Sequence, residues 1–198
     1  MKPFKFNEEK IGTHVPFHDY FLKRKVKIIK RILTNKKLNC LDIGCNTGEI
    51  EKHICGDFNT IIGIDTAKTC IEEANSMKLV NCEFKITVGT RLDFMDKSFD
   101  IVLITNVLHH IDYRDHLKLL IEMKRVLKYK GECLIFEHNP FNPFIWLRFY
   151  FVSKIDKGRK MINPLTLKRK LAELGFKSKL GFILSEGFGE YYIHANTH

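Results

Sequence analysis

Apolar positions along this chain alternate between short unbroken runs and helical stripes. Runs at 38–43, 60–64 and 99–105, and the segment 82–87, read as strands. Between them, 48–55 and 67–77 read as helices. Asp112 has the position of an N-cap for a helix through Lys128, with Leu117, Leu120, Ile121 and Leu127 on its inner face. Gly131 then ends the connection before a fifth strand at 132–138. Pro164 opens a helix to Leu174, stopped by Gly175, and two final strands are expected near 176–184 and 189–195. At the other end, Leu22, Val26, Ile29 and Leu33 make one stripe on a helix, 18–33, that otherwise carries Lys23, Arg24, Lys25, Lys27, Lys30 and Arg31. Strands alternating with helices predict an α/β fold: Rossmann-like, doubly wound, with a mainly parallel seven-stranded sheet and helices on both faces. Ligands of such sheets bind outside the carboxyl ends of the strands.

The chemistry is concentrated at those ends. The first run closes on Gly44, crosses a polar turn and reaches Gly48 and Glu49 at a helix start. Glycine belongs where the backbone turns with positive φ or lies against a ligand. About 20 residues on, the second run ends in Asp65, a carboxylate placed to accept hydrogen bonds from both hydroxyls of a ribose. The loop differs from a dinucleotide fingerprint: Asp42 stands at its entrance, and no Lys-Ser/Thr follows. A carboxylate there repels a pyrophosphate and suits a ligand with positive charge. An αβ connection with a glycine turn and an acidic cap is the plainer alternative.

LDIGCNTG at 41–48, GID at 63–65, SFDIVLITNVLHHI at 98–111 and RVLKYKG running into ECLIFEH at 125–138 together resemble the class I S-adenosylmethionine-dependent methyltransferases. Within them the small single-domain, quinone-biosynthesis type is the most similar. The resemblance covers about 38–138 and implies S-adenosylmethionine as cofactor, S-adenosylhomocysteine as product, and no metal. It implies that Gly44, Cys45, Asn46 and Gly48 lie against the methionine moiety, with Asp42 near its amino group or holding the loop. Asp65, with Thr66 beside it, would take the ribose, and Asn106 would border the cofactor. Asn46 replaces the family's usual glycine; asparagine also tolerates left-handed geometry. The family's adenine-binding acid falls at Val88, so adenine is expected against backbone around Gly89 and Thr90. One domain is expected over 1–198: a helical lid over 1–37, a cofactor core over 38–138, and an acceptor-side lid with the final strands over 139–198.

Catalytic candidates follow from what remains. A hydroxyl acceptor must lose a proton, and histidine suits that near neutral pH. His110 after the fourth strand and His138 at the end of the fifth are the candidate bases, while His109 is expected to pack beneath the loop. A His-His pair is frequent in this family whatever the substrate. The segment HNPFNPFIWLRFYFV at 138–152 has two Asn-Pro steps and then an aromatic run too short to span a bilayer. It reads as a roof over the site, or as a pocket or membrane-touching patch for a large apolar acceptor. With the basic helix 18–33 it is expected to close over that acceptor.

Composition narrows the picture further. A chain of 198 residues with 44% hydrophobic and 28% charged residues suits one globular core. The beginning, MKPFKFNEEKIGTH, has no apolar signal core, and the six cysteines form no C-x-x-C pair, so a reduced, cytoplasmic setting without disulfide framework or metal site is expected. A net charge of +10, concentrated in 23–37 and 157–170, favours an anionic partner or simply a solvated surface. The expected activity is methyl transfer to a small or lipid-like acceptor, at oxygen or at nitrogen. A tRNA or rRNA methyltransferase is the alternative, and a methyltransferase-fold protein that binds without turnover is a second; oligomeric state is not legible.

Overall fold

The computed structural model describes residues 18–32, 38–152, 158–185 and 188–197. Seven strands form one sheet: β1 (Asn39–Ile43), β2 (Thr60–Asp65), β3 (Cys82–Ile86), β4 (Phe99–Thr105), β5 (Leu127–His138), β6 (Lys177–Ser185) and β7 (Phe188–Asn196). Their order is β3-β2-β1-β4-β5-β7-β6. The first five are parallel, and β7 pairs antiparallel with both β5 and β6. Strand order reverses between β1 and β4, which opens a crevice above their carboxyl ends.

Helices cover both faces. α4 (Tyr113–Val126) and α6 (Pro164–Glu173) bury Leu119, Leu120, Met123, Leu167 and Leu171 against Leu41, Ile43, Val102 and Ile104. On the other face, α1 (His18–Ile32) and α2 (Glu49–Ile54) bring Phe21, Ile29 and Ile54 onto Cys40, Ile61, Ile101 and Leu103. Each such aliphatic or aromatic side chain contributes about 1.5–3 kcal/mol on burial, so the two cores fix the sheet and leave the strand tips to chemistry. α3 (Lys68–Ser76) and α5 (Pro143–Leu147) complete the set, the latter continuing as a wider helical turn over Arg148–Val152.

Local signals explain most element ends. Asp112 accepts the Arg114 N–H through Oδ1 at 2.9 Å, and Asn163 caps α6 through the N–H groups of Leu165 and Thr166. Three expectations need correction. In α4 the inner face is His116, Leu119, Leu120, Met123 and Val126, while Leu117 and Ile121 are 44% and 47% exposed. The helix is turned by about one residue because His116 Nε2 is drawn in to the carbonyl of Leu108 at 2.8 Å. Gly131 ends no loop: β5 begins at Leu127, directly after α4, and absorbs a bulge opposite Phe99 and Ile101. On α1, Lys25, read only as one of the helix's basic residues, is buried beside Phe21 and Ile29. Leu33 and most of the expected 1–37 lid lie outside the described residues.

Candidate cofactor and acceptor site

The loop after β1 is held from below by one carbonyl. Gly44 N–H and Cys45 N–H both donate to Ile64 O, at 2.7 and 3.1 Å. Gly44 has φ +79° and Asn46 φ +50°, so both lie in positive-φ backbone. A Cβ on Gly44 would stand 2.1 Å from Cγ2 of Val107, which follows β4. The glycine therefore lets the β1 and β4 loops touch. Gly48, φ +78°, precedes α2.

Asp65 ties the crevice together. Its Oδ2 accepts the Asn46 N–H at 3.0 Å and its Oδ1 accepts the Ala67 N–H at 2.9 Å. A carboxylate has about four lone-pair directions, which leaves one on each oxygen for a diol. Around it, Asn46 Oδ1, Thr66 Oγ1, Thr105 Oγ1 and Asn106 Oδ1 are buried with no hydrogen-bond partner among the described residues. Leaving such a group unsatisfied costs about 1–3 kcal/mol. Four of them at the tips of β1, β2 and β4 fit a polar ligand spanning the crevice, as a nucleoside with an amino-acid tail would.

Asp42, expected near that tail or holding the loop, is only 1% exposed and lies against Glu51 of α2, which is fully buried. Burial first, and then the Asp42 charge, push the Glu51 carboxyl well above its ordinary range. No motif flagged Glu51, because an acid on the inner face of a short helix reads as surface. Asp42 thus braces the loop from beneath. Since the native pKa of Glu51 lies above the unfolded value of 4.5, the unfolded chain releases this proton first as pH rises. Stability therefore falls from that pH upward until the native group also ionises. Glu51→Gln keeps an N–H donor toward Asp42 without the titration. It should melt at least ~2 °C above wild type at pH 8, with the gain shrinking toward pH 5; a lower melting temperature at pH 8 would contradict the raised Glu51 pKa.

Farther along the sheet, Gly89 has φ +76° and Val88 is 82% exposed, both just beyond β3. The segment between β3 and β4 is pinned by Arg125, which donates to the carbonyls of Leu92 and Phe94, each at 2.7 Å. Glu122 accepts Leu92 N–H, and hydrogen bonds from Arg125 lower its pKa to about 2. Thr90 enters this braced stretch and is half-buried.

The tips of β4, β5 and β7 carry a second group. His109 is enclosed: its Nδ1 is 2.7 Å from Glu137 Oε2, while Glu137 Oε1 accepts the Leu108 N–H at 2.7 Å. Burial opposes the Glu137 charge, but His109, His138 and that N–H outweigh it and hold the carboxyl below its ordinary value. The His109 ring lies 4.1 Å from His110 and 5.0 Å from His138, with Phe149 edge-on at 5.6 Å. His110 is 8% exposed, and its carbonyl accepts a hydrogen bond from Arg159 at 3.0 Å. The His138 side chain is 25% exposed, the most open of the three, and its Nδ1 is 4.0 Å from Glu190 Oε1.

Glu190, on β7, has no sequence signal of its own. Its buried Oε1 receives Lys25 Nζ at 3.0 Å and Asn106 Nδ2 at 2.9 Å, and its Oε2 has no partner among the described residues. A lysine and a glutamate 165 positions apart in sequence meet only through the fold. The pair joins the basic helix α1 to the site, and Asn106, φ +54°, stands between this group and the β1 loop.

The seven-stranded sheet with one antiparallel insertion is also the fold of solved S-adenosylmethionine-dependent methyltransferases. Residues 41–135 match the family described as "Methyltransferase domain". A solved methyltransferase of this kind from Aquifex aeolicus superimposes with TM-score 0.75 at 18% identity, over 98% of this chain and 100% of its own. A demethylmenaquinone methyltransferase of Thermotoga maritima is 30% identical over 61% of this chain and 52% of its own length. A probable tRNA methyltransferase 9B of Mus musculus is 29% identical over 69% of this chain and 31% of its own. The chain thus spans about half or less of the curated relatives it matches.

Proposed function

We propose that this chain transfers a methyl group from S-adenosylmethionine to the oxygen, or the nitrogen, of a small or lipid-like acceptor. The observation that carries it is the continuous row from the Asp65 crevice, through Asn106, to the histidine group walled by Phe149. When bound, the cofactor supplies a sulfonium-activated methyl group. The chain's own contribution is alignment and exclusion of water. Asp65 and the loop Gly44, Cys45, Asn46 and Gly48, with Thr66 and Asn106, hold the cofactor; Gly89 and Thr90 border its base. His138, the most open ring, is placed to take a proton from a hydroxyl acceptor. His110 is the second candidate base, and the Glu137-bound His109 braces both.

Transfer to RNA is the second reading, favoured by the net charge of +10 and by the similarity to the tRNA methyltransferase relative. Methyl-tritiated cofactor offered to a total lipid and quinol extract, and separately to bulk tRNA, separates the two by which fraction acquires label. Asp65→Ala serves as control. It should weaken S-adenosylhomocysteine binding by one to two decades, because hydrogen bonds to a charged group are worth about 1.5–3 kcal/mol. Label confined to tRNA would overturn the small-acceptor reading, and unchanged affinity in the Asp65 variant would overturn the site.

A further inference from the structure

The segment 143–152 has two unlike sides. Ile145 and Phe149 are 5% and 3% exposed, and the Phe149 ring meets His109 and His138 edge-on at 5.6 and 5.7 Å. Outward stand Phe144, Trp146, Leu147, Tyr150 and Phe151, from 41% to 71% exposed, with Phe141 at 56% just before them. They form a patch: Trp146 lies 5.3 Å from the Tyr150 ring and 5.7 Å from the Phe151 ring. Single exposed apolar side chains are ordinary, but a contiguous aromatic group marks an interaction surface.

Charge indicates what it meets. Between Asn139 and Lys160 the sequence carries Arg148, Lys154, Lys157, Arg159 and Lys160 against one acid, Asp156. A second copy of the chain would bring one net charge of +10 against another, so self-pairing works against like-charge repulsion. Tryptophan and tyrosine favour the boundary between hydrocarbon and water, and basic residues favour anionic headgroups. Ten helical residues reach only about 15 Å, half a bilayer's hydrocarbon thickness.

We propose that residues 141–152 are a docking surface for an anionic lipid bilayer, lying in the headgroup layer with Trp146 at its centre. The same short segment is then both the lipid contact and the wall behind the histidines, so an apolar acceptor can pass from the membrane to the site without crossing water. The surface stands on exposure and charge alone and does not depend on which acceptor is methylated.

Trp146 is the only tryptophan, so its fluorescence reports directly on the patch. The full chain is titrated with phosphatidylcholine vesicles, with and without one part in four of phosphatidylglycerol, and binding is measured by co-sedimentation. Anionic vesicles should bind at least about tenfold more tightly than neutral ones and shift the Trp146 emission to the blue. Phe144→Ser combined with Phe151→Ser should lower anionic-vesicle binding at least about tenfold while S-adenosylhomocysteine affinity and circular dichroism stay at wild-type values. Absence of vesicle binding, binding without an emission shift, or wild-type binding by the folded double variant would each overturn the proposal. So would a lipid-free dimer that buries Trp146, which would assign the patch to a second copy.

Discussion

Gly44→Val should remove measurable S-adenosylhomocysteine binding, a loss beyond about a hundredfold, while the sheet still forms. Gly44 sits at φ +79°, where a β-branched side chain is strained by about 1–2 kcal/mol or more. The larger effect is steric. The new Cβ would lie 2.1 Å from Val107 Cγ2, so the loops after β1 and β4 must separate. Val107 leads directly into Leu108 and His109, and Gly44 and Cys45 share the Ile64 carbonyl, so both halves of the site lose their alignment. The sheet is spared because β1 remains paired with β2 and β4 through residues that precede the turn. Calorimetric titration together with circular dichroism checks this. A folded variant with wild-type affinity would make Gly44 a turn residue only.

His138→Gln should lower single-turnover rate by about 10²–10⁴-fold on a hydroxyl acceptor, with cofactor affinity nearly unchanged, because a base acts only in the transition state. Its side chain is 25% exposed where that of His109 is 1%, so it is the ring that can meet an acceptor. His109→Gln should act differently. It takes the imidazole partner from the buried Glu137 carboxylate, which costs about 1–3 kcal/mol or more, and should show first in thermal stability. His110→Gln distinguishes the remaining candidate. Rates for the three variants across pH 6 to 9 decide the assignment; equal, small losses at all three would exclude a histidine base and favour an acceptor already neutral at nitrogen.

The sheet is legible because its central strands are apolar runs between helices with readable ends: Asp112 does cap α4, and Pro164 does open α6. Asn46 in left-handed geometry also follows from the motif alone. Long-range polar partners were not legible. Lys25 belongs to a basic stripe until Glu190 is seen beside it, and His116 turns α4 through a carbonyl eight residues earlier. Glu51 is likewise an ordinary helical acid until Asp42 is found beneath it. Pattern reading assigns charged residues to solvent, and it errs where the fold supplies a buried partner.

The central claim is that S-adenosylmethionine occupies the crevice at the tips of β1, β2 and β4. Amide hydrogen exchange of the full chain, with and without saturating S-adenosylhomocysteine, tests it most directly. Slower exchange is predicted at Gly44–Gly48, at Asp65–Ala67 and around Asn106, together with a rise in melting temperature that grows with ligand concentration. No thermal shift at any concentration, or protection confined to β6 and β7, would contradict it.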